Sequence, residues 1–261
     1  MIKNVLMTIE YDGTGFSGWQ IQPESRTVQG EVQKALKKIC GHDIKADGAS
    51  RTDAGVHALG QRASFKGDFG IPVERIAGVM NRLLPGDIKI KGAKEMPLNF
   101  HARFDAKGKK YIYRIMNCAE KNVFKRNFYY YYDKPLDVNR MRAAASYLVG
   151  THDFSSFMAM GSTPQKTTVR TIYSYEVEKK AGSGNEREFE LTVKGDGFLY
   201  NMVRIMTGTI IDAGRGAIEP EEVREIILAG DRSRAGRTAP AQGLYLAEVY
   251  YDTEYLEGKR L

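Results

Sequence analysis

Residues 4–23 read Asn4-Val5-Leu6-Met7-Thr8-Ile9-Glu10-Tyr11-Asp12-Gly13-Thr14-Gly15-Phe16-Ser17-Gly18-Trp19-Gln20-Ile21-Gln22-Pro23. Val5, Met7, Ile9 and Tyr11 fall on one face at a period of two, which predicts a strand. The strand runs straight into Gly13-x-Gly15-x-x-Gly18, the spacing of a dinucleotide-binding fingerprint. That fingerprint works only when a helix opens at the glycines and turns its N-terminus toward a pyrophosphate. Here Trp19 to Gln22 intervene, and Pro23 argues against a helix running through them. The glycines are therefore read as shaping a loop, and the strand is taken together with the helix that follows it.

Thr27 is a good N-cap for that helix, which places Val28, Val32, Ala35 and Ile39 on one face. A short run from Asp43 to Asp47 leads into a small-residue loop, and Ala58 to Phe65 reads weakly as a strand. Pro72 opens a second helix, with Val73, Ile76, Ala77, Met80 and Leu83 inside, and Pro85 stops it. Asp87 to Lys91 is the next strand. The order is βαββαβ.

The second half repeats it. Lys110 to Met116 reads as a strand, and Val138, Met141, Ala145 and Leu148 mark a helix capped by Asp137 and ended by Gly150. Thr171 to Val177 and Phe189 to Val193 flank the hairpin connection Ala181-Gly182-Ser183-Gly184-Asn185. Leu199 to Ala213 is helical, another helix starts at Pro220, and Leu244 to Tyr251 closes the chain as a strand. Two βαββαβ units predict an α+β fold of two ferredoxin-like or RRM-like halves, residues 1–105 and 106–261. Their sheets should be mainly antiparallel and flank a central cleft. Thr151 to Thr168 fits neither half and reads as an irregular surface loop of the kind that binds something.

Composition narrows the partner. Hydrophobic residues make up 42% of the 261 and charged residues 27%, ordinary for a globular chain. No apolar run approaches the roughly 20 residues needed to span a bilayer, and Met1-Ile2-Lys3-Asn4 lacks signal-peptide architecture, so the expected location is cytoplasmic. Two cysteines and four scattered histidines make no ligand cluster, and no metal is expected. A net charge of +7 suggests an anionic partner. Between Arg103 and Lys134, basic residues interleave with Tyr111, Tyr113, Phe124, Phe128 and Tyr129 to Tyr132. Cations for phosphates and flat rings for bases suit looped RNA, although an aromatic core beneath a basic face gives the same pattern.

Two stretches carry chemistry. Gly48-Ala49-Ser50-Arg51-Thr52-Asp53-Ala54-Gly55-Val56-His57-Ala58 sets one arginine and one carboxylate among two glycines and three alanines. Small residues there would let an RNA backbone and a displaced base come close to Asp53. Leu199, Met202, Val203, Ile205, Met206, Ile210 and Ile211 make the later helix apolar nearly all round, with Arg204 inside it. A buried guanidinium needs an acceptor, and Asp53 or Asp212 are the anionic candidates.

Arg51-Thr52-Asp53-Ala54-Gly55-Val56-His57-Ala58 resembles the signature of the TruA family of tRNA pseudouridine synthases. The resemblance extends to Tyr11–Gln20, Phe100-His101-Ala102-Arg103-Phe104, Lys110-Tyr111-Ile112-Tyr113, Gly150–Phe154, the Arg204 segment and Thr238–Leu244, covering essentially the whole chain. It implies that Asp53 is the catalytic aspartate, Arg204 the arginine paired with it, and Arg51 an arginine that helps displace the target nucleotide. It also implies that Tyr111 stacks on the base, with Arg103, His101 and Lys110 as further substrate contacts; Tyr113 is the alternative for stacking. The implied activity is cofactor-independent isomerisation of uridine to pseudouridine at positions 38 to 40 of the tRNA anticodon stem-loop, by a homodimer. An RNA-binding module without catalysis and a small-molecule enzyme using the Gly13–Gly18 loop are the rival readings.

Overall fold

The computed structural model describes residues 1–161, 167–181 and 187–252. The chain divides into two units: Met1–Lys107 together with the chain from Tyr245, and Gly108–Leu244.

In the first unit, β1 (Lys3–Tyr11), α1 (Val28–Cys40), β2 (Ala46–Gly48), β3 (His57–Gly67), α2 (Val73–Leu83) and β4 (Ile88–Met96) follow in the predicted βαββαβ order. β1 lies between β3 and β4, antiparallel to both. The outer edge of β3 is shared. Its Ala63–Phe65 end takes the three residues of β2 antiparallel, while His57 and Ala58 pair in parallel with Tyr245 and Leu246 of β10 (Leu244–Tyr250). The second unit therefore ends before that strand does, instead of reaching residue 261. The run from Tyr245 reads as the closing strand of the second repeat, but its backbone completes a ladder of the first unit, and no local pattern records the pairing partner of a strand.

α1 begins as its sequence directs. The Thr27 side chain accepts from Gly30 N–H, and Gly41 at φ 77 ends the helix. Val28, Val32, Ala35 and Leu36 form its buried face, where Leu36 takes the place expected of the half-buried Ile39. Each such aliphatic side chain contributes about 1.5–3 kcal/mol by leaving water. β3 runs eleven residues and is mostly buried on both faces, so strict alternation is lost and the sequence signal is weak.

The second unit contains β5 (Gly108–Asn117), β6 (Tyr130–Tyr132), α3 (Val138–Ser146), β7 (Gly150–Asp153), β8 (Val169–Ala181), β9 (Arg187–Gly195), α4 (Met202–Gly214) and α5 (Glu222–Ala229). Its sheet runs β5-β9-β8-β7, all antiparallel, with β6 parallel beside one end of β5. The expected hairpin connection, Ala181 to Asn185, lies after Ala181 outside the described residues, but the strands flanking it do pair, Ala181 opposite Arg187. One face of this sheet carries Tyr113, Tyr175, Val177, Phe189 and Leu191, all buried. On that face the hydroxyls of Tyr175 and Thr207, the latter on α4, share a hydrogen bond at 3.3 Å.

The segment expected as an irregular surface loop is in its described part an anchor. It supplies β7, then Phe154, Ser156 and Phe157, all fully buried, and the Ser156 hydroxyl donates to Ile226 carbonyl at 2.6 Å. Aromatic residues in a polar run signal a docked segment, and here the docking partner is α5.

Asp137 caps α3 twice, accepting from the N–H groups of Asn139 and Arg140 at 2.7 and 3.2 Å. Asp137→Ala should lower stability by about 1 kcal/mol in urea unfolding. Asp137→Asn, which keeps the acceptor, should cost clearly less.

Candidate active site

Asp53 sits in a turn between β2 and β3. Val56 N–H donates to Asp53 carbonyl at 3.1 Å, and Gly55 holds φ 76 at the third position. That is the type II arrangement, in which a side chain at the third residue would be strained. Gly55 is thus explained by the turn itself.

The turn is built against the Gly13–Gly18 loop, backbone on backbone. Trp19 N–H donates to Thr52 carbonyl at 3.0 Å, and Gly55 N–H to Phe16 carbonyl at 3.3 Å. A Cβ on Gly13 would stand 2.1 Å from the Val56 carbonyl oxygen, and one on Gly18 would stand 2.6 Å from that of Thr52. No side chain fits at either place. The nucleotide-like glycine spacing therefore serves an internal contact: the glycines carry a single 3-10 turn, Gly13–Gly15, and no helix follows until Val28.

Side chains fix both flanks. The Tyr11 and Thr52 hydroxyls share a hydrogen bond at 2.7 Å. His57, 1% exposed, accepts from Gly13 N–H at 3.0 Å through Nδ1 and stacks on Tyr245 at 4.8 Å. Before the turn, fully buried Gln61 on β3 receives Ser50 N–H at 3.2 Å and donates to Ser50 carbonyl at 2.8 Å. Asp53 is left half-buried and Arg51 exposed. Gln61 escapes a reading by residue type, because an amide inside a weakly alternating strand looks like a surface position.

The small residues around Asp53 have a different use from the one expected. Gly48 lies against Trp19, whose indole would be 2.4 Å from a Cβ there, and Ala49 and Ala58 are fully buried. They make room for the unit's own interior. Only Ala54 is exposed.

His101 and Arg103 belong to a segment tied down on both sides. Ala102 N–H donates to the Ser64 hydroxyl at 3.0 Å, and the Tyr251 hydroxyl donates to Ala102 carbonyl at 2.7 Å. His101 Nδ1 accepts from Arg103 N–H at 3.1 Å, its Nε2 lies 3.7 Å from the Asp47 carboxylate, and its ring meets exposed Phe104 at 4.3 Å. Burial pulls the Arg103 guanidinium below its ordinary pKa, and the charge of Arg51 acts in the same direction. Arg51 and Arg103 are thus close enough to feel each other. Guanidiniums attract anions, phosphate among them.

In the second unit, Tyr111 and Tyr113 share a face of β5 but differ in setting. Tyr113 is wholly buried, its hydroxyl donates to Pro240 carbonyl at 2.7 Å, and burial pushes its pKa well above the usual phenol value. Tyr111 is 7% exposed and meets Phe198 edge-on at 5.1 Å. Lys110, half-buried, stands directly opposite Lys194 across the β5–β9 ladder. The aromatic run divides in the same way: Tyr132 is core, whereas Phe124 is 88% exposed and Arg237 lies over the rings of Tyr130 and Tyr132.

Arg204 lies on α4, whose other side chains are nearly all buried, but is itself half-buried, not enclosed as its apolar neighbours suggest. Its Nε donates to Ala239 carbonyl and its Nη1 to Asn201 Oδ1, both at 2.7 Å. Asp212, one of the two expected anionic partners, accepts from Arg215 Nε at 2.8 Å. Among the described residues, no group of three or more His, Cys, Asp or Glu side chains could hold a metal ion, and no helix is long and apolar enough to cross a membrane.

A family model described as tRNA pseudouridine synthase matches residues 7–105 and 144–252. The curated relative named tRNA pseudouridine synthase A from Acetivibrio thermocellus is 48% identical over 250 residues, 96% of this chain and 100% of its own length. The protein of the same name from Ruminiclostridium cellulolyticum is 47% identical with the same coverage. Among solved structures, a chain of a Cbf5-Nop10-Gar1 complex is 12% identical over 93% of this chain and 56% of its own, at a TM-score of 0.28.

Removing the Gln61 side chain orphans two buried backbone groups of Ser50. Gln61→Ala should therefore cost roughly 2–4 kcal/mol in urea unfolding, at about 1–3 kcal/mol for each unsatisfied group. Amide hydrogen exchange across residues 50–56 should accelerate more than exchange in α1.

Proposed function

The chain belongs to the tRNA pseudouridine synthase family, and from that premise we propose that it isomerises uridine at positions 38 to 40 of the anticodon stem-loop with Asp53 as the reacting carboxylate. As a member of that family it is an isomerase acting on uridine in tRNA. The observation that best supports Asp53 is its setting. A half-buried carboxylate stands on a turn fixed from both sides by the unit's interior, two residues after the exposed Arg51.

The reaction breaks the N1–C1′ bond, turns the detached uracil and rejoins it to C1′ through C5; the proton on C5 leaves and N1 gains one. Nothing is oxidised or reduced, and we propose that no cofactor takes part. A carboxylate serves this sequence by attacking C1′, attacking C6 or removing the 2′ proton. All three routes need Asp53 ionised, and a guanidinium partner favours that form whereas burial alone opposes it. We assign that partnership to Arg204 and displacement of the nucleotide to Arg51. Arg103, His101 and Lys110 are assigned to the substrate, and Tyr111 to stacking on the extruded base. Extrusion costs a few kcal/mol, of which stacking returns about 1–3 kcal/mol. A cytoplasmic homodimer is part of the same reading.

Release of tritium from 5-tritiated uridine in tRNA tests the assignment. Asp53→Asn should lower the single-turnover rate by on the order of 10³-fold or more, with the Kd for tRNA and the thermal midpoint close to wild type. Substantial residual turnover removes Asp53 from the chemistry. Product mapping by mass spectrometry should find pseudouridine at positions 38 to 40; modification elsewhere overturns the proposed specificity.

A further inference from the structure

Asn201 is one of two non-glycine residues with positive φ among those described, at φ 60 and ψ 5. It stands immediately before α4, where asparagine is a preferred cap. A capping asparagine is extended, and its side chain accepts an N–H from the first turn. Asn201 does neither. Its backbone is left-handed, and its side chain accepts from no backbone N–H of the helix. Its Oδ1 instead accepts from Arg204 Nη1 at 2.7 Å.

The other side of the guanidinium is held as firmly. Arg204 Nε donates to Ala239 carbonyl at 2.7 Å, and Ala239 N–H returns a bond to Arg204 carbonyl at 3.1 Å. A backbone carbonyl and a side-chain amide thus hold the guanidinium at two separate nitrogens, Nε and Nη1. Neither of these acceptors is charged, so both fix its direction without supplying a counter-charge of their own. A carboxylate at position 201 would hold the same donor but bring such a charge.

Resting on the assignment of Arg204 to the active site, we propose that Asn201 is a positioning residue that gives up helix capping to aim the Arg204 guanidinium. The left-handed backbone is what turns its amide away from the helix N–H groups and toward the side chain one turn on. Asparagine is among the few residues with a side chain that adopt this conformation readily and carry a neutral acceptor.

Asn201→Gly isolates the side chain, because glycine accepts positive φ and the amide caps nothing. In the full-length protein its thermal midpoint should stay within about 2 °C of wild type and its Kd for tRNA within about twofold, since neither capping nor core packing is lost. The single-turnover rate of tritium release should fall about tenfold or more, as misaligned groups in active sites cost this much or greater. The Arg204 Nε–H signal of ¹⁵N-labelled protein, identified by its loss in Arg204→Lys, should move toward the position of a solvated arginine. An unchanged rate in Asn201→Gly overturns the inference. So does a reduced rate with an unmoved Arg204 signal, which would mean that Asn201 acts by another route. If the signal moves but Arg204→Lys turns over like wild type, the failure lies in the assignment of Arg204 and not in the contact.

Discussion

The contact on which the first unit depends is between two stretches of bare backbone. The Gly13–Gly18 loop lies so close to Thr52–Val56 that a methyl group on Gly13 or Gly18 would overlap a carbonyl oxygen. With no side chains between them, main-chain hydrogen bonds from Trp19 and Gly55 cross directly and fix the turn that carries Asp53. Gln61, Tyr11 and His57 then immobilise the flanks. A carboxylate on an exposed loop would ordinarily sample many positions; here its main chain has hardly any freedom left.

The second unit holds its own charged residue by the same means. A Cβ on Gly208 of α4 would stand 1.8 Å from Arg237 carbonyl, so helix and the chain at residues 236–239 meet backbone to backbone. One consequence is that Ala239 lies where its N–H and carbonyl both reach Arg204, one to the main chain and one to the guanidinium. In both units glycine permits a close approach, and the approach places a charged side chain. In each unit the position of that charged side chain thus rests on residues that have no side chain of their own.

Electrostatics follows from this geometry. The charge of Arg51 adds to burial in opposing that of Arg103. Arg204 donates from Nε and Nη1 to acceptors that carry no charge. A guanidinium whose direction is fixed in advance needs little rearrangement when it meets an anion.

Much was settled by sequence alone. The period-two and period-3.6 patterns, Thr27 and Asp137 as caps, and Pro72 and Pro85 as limits depend on neighbours within one turn, so local chemistry determines them. The βαββαβ order of the first unit and the family followed from the same residues. What required the tertiary structure was the pairing across long separations: β10 beside β3, Ser156 against Ile226 of α5, Gly48 under Trp19, and Gln61 holding Ser50. The residue type at such a position states only that the site is small, apolar or polar, and the partner hundreds or tens of residues away supplies the reason. Asn201 shows the limit most clearly. The sequence pattern places it inside a helix running from Leu199, and only the backbone, turned to positive φ just before α4, directs its amide to Arg204.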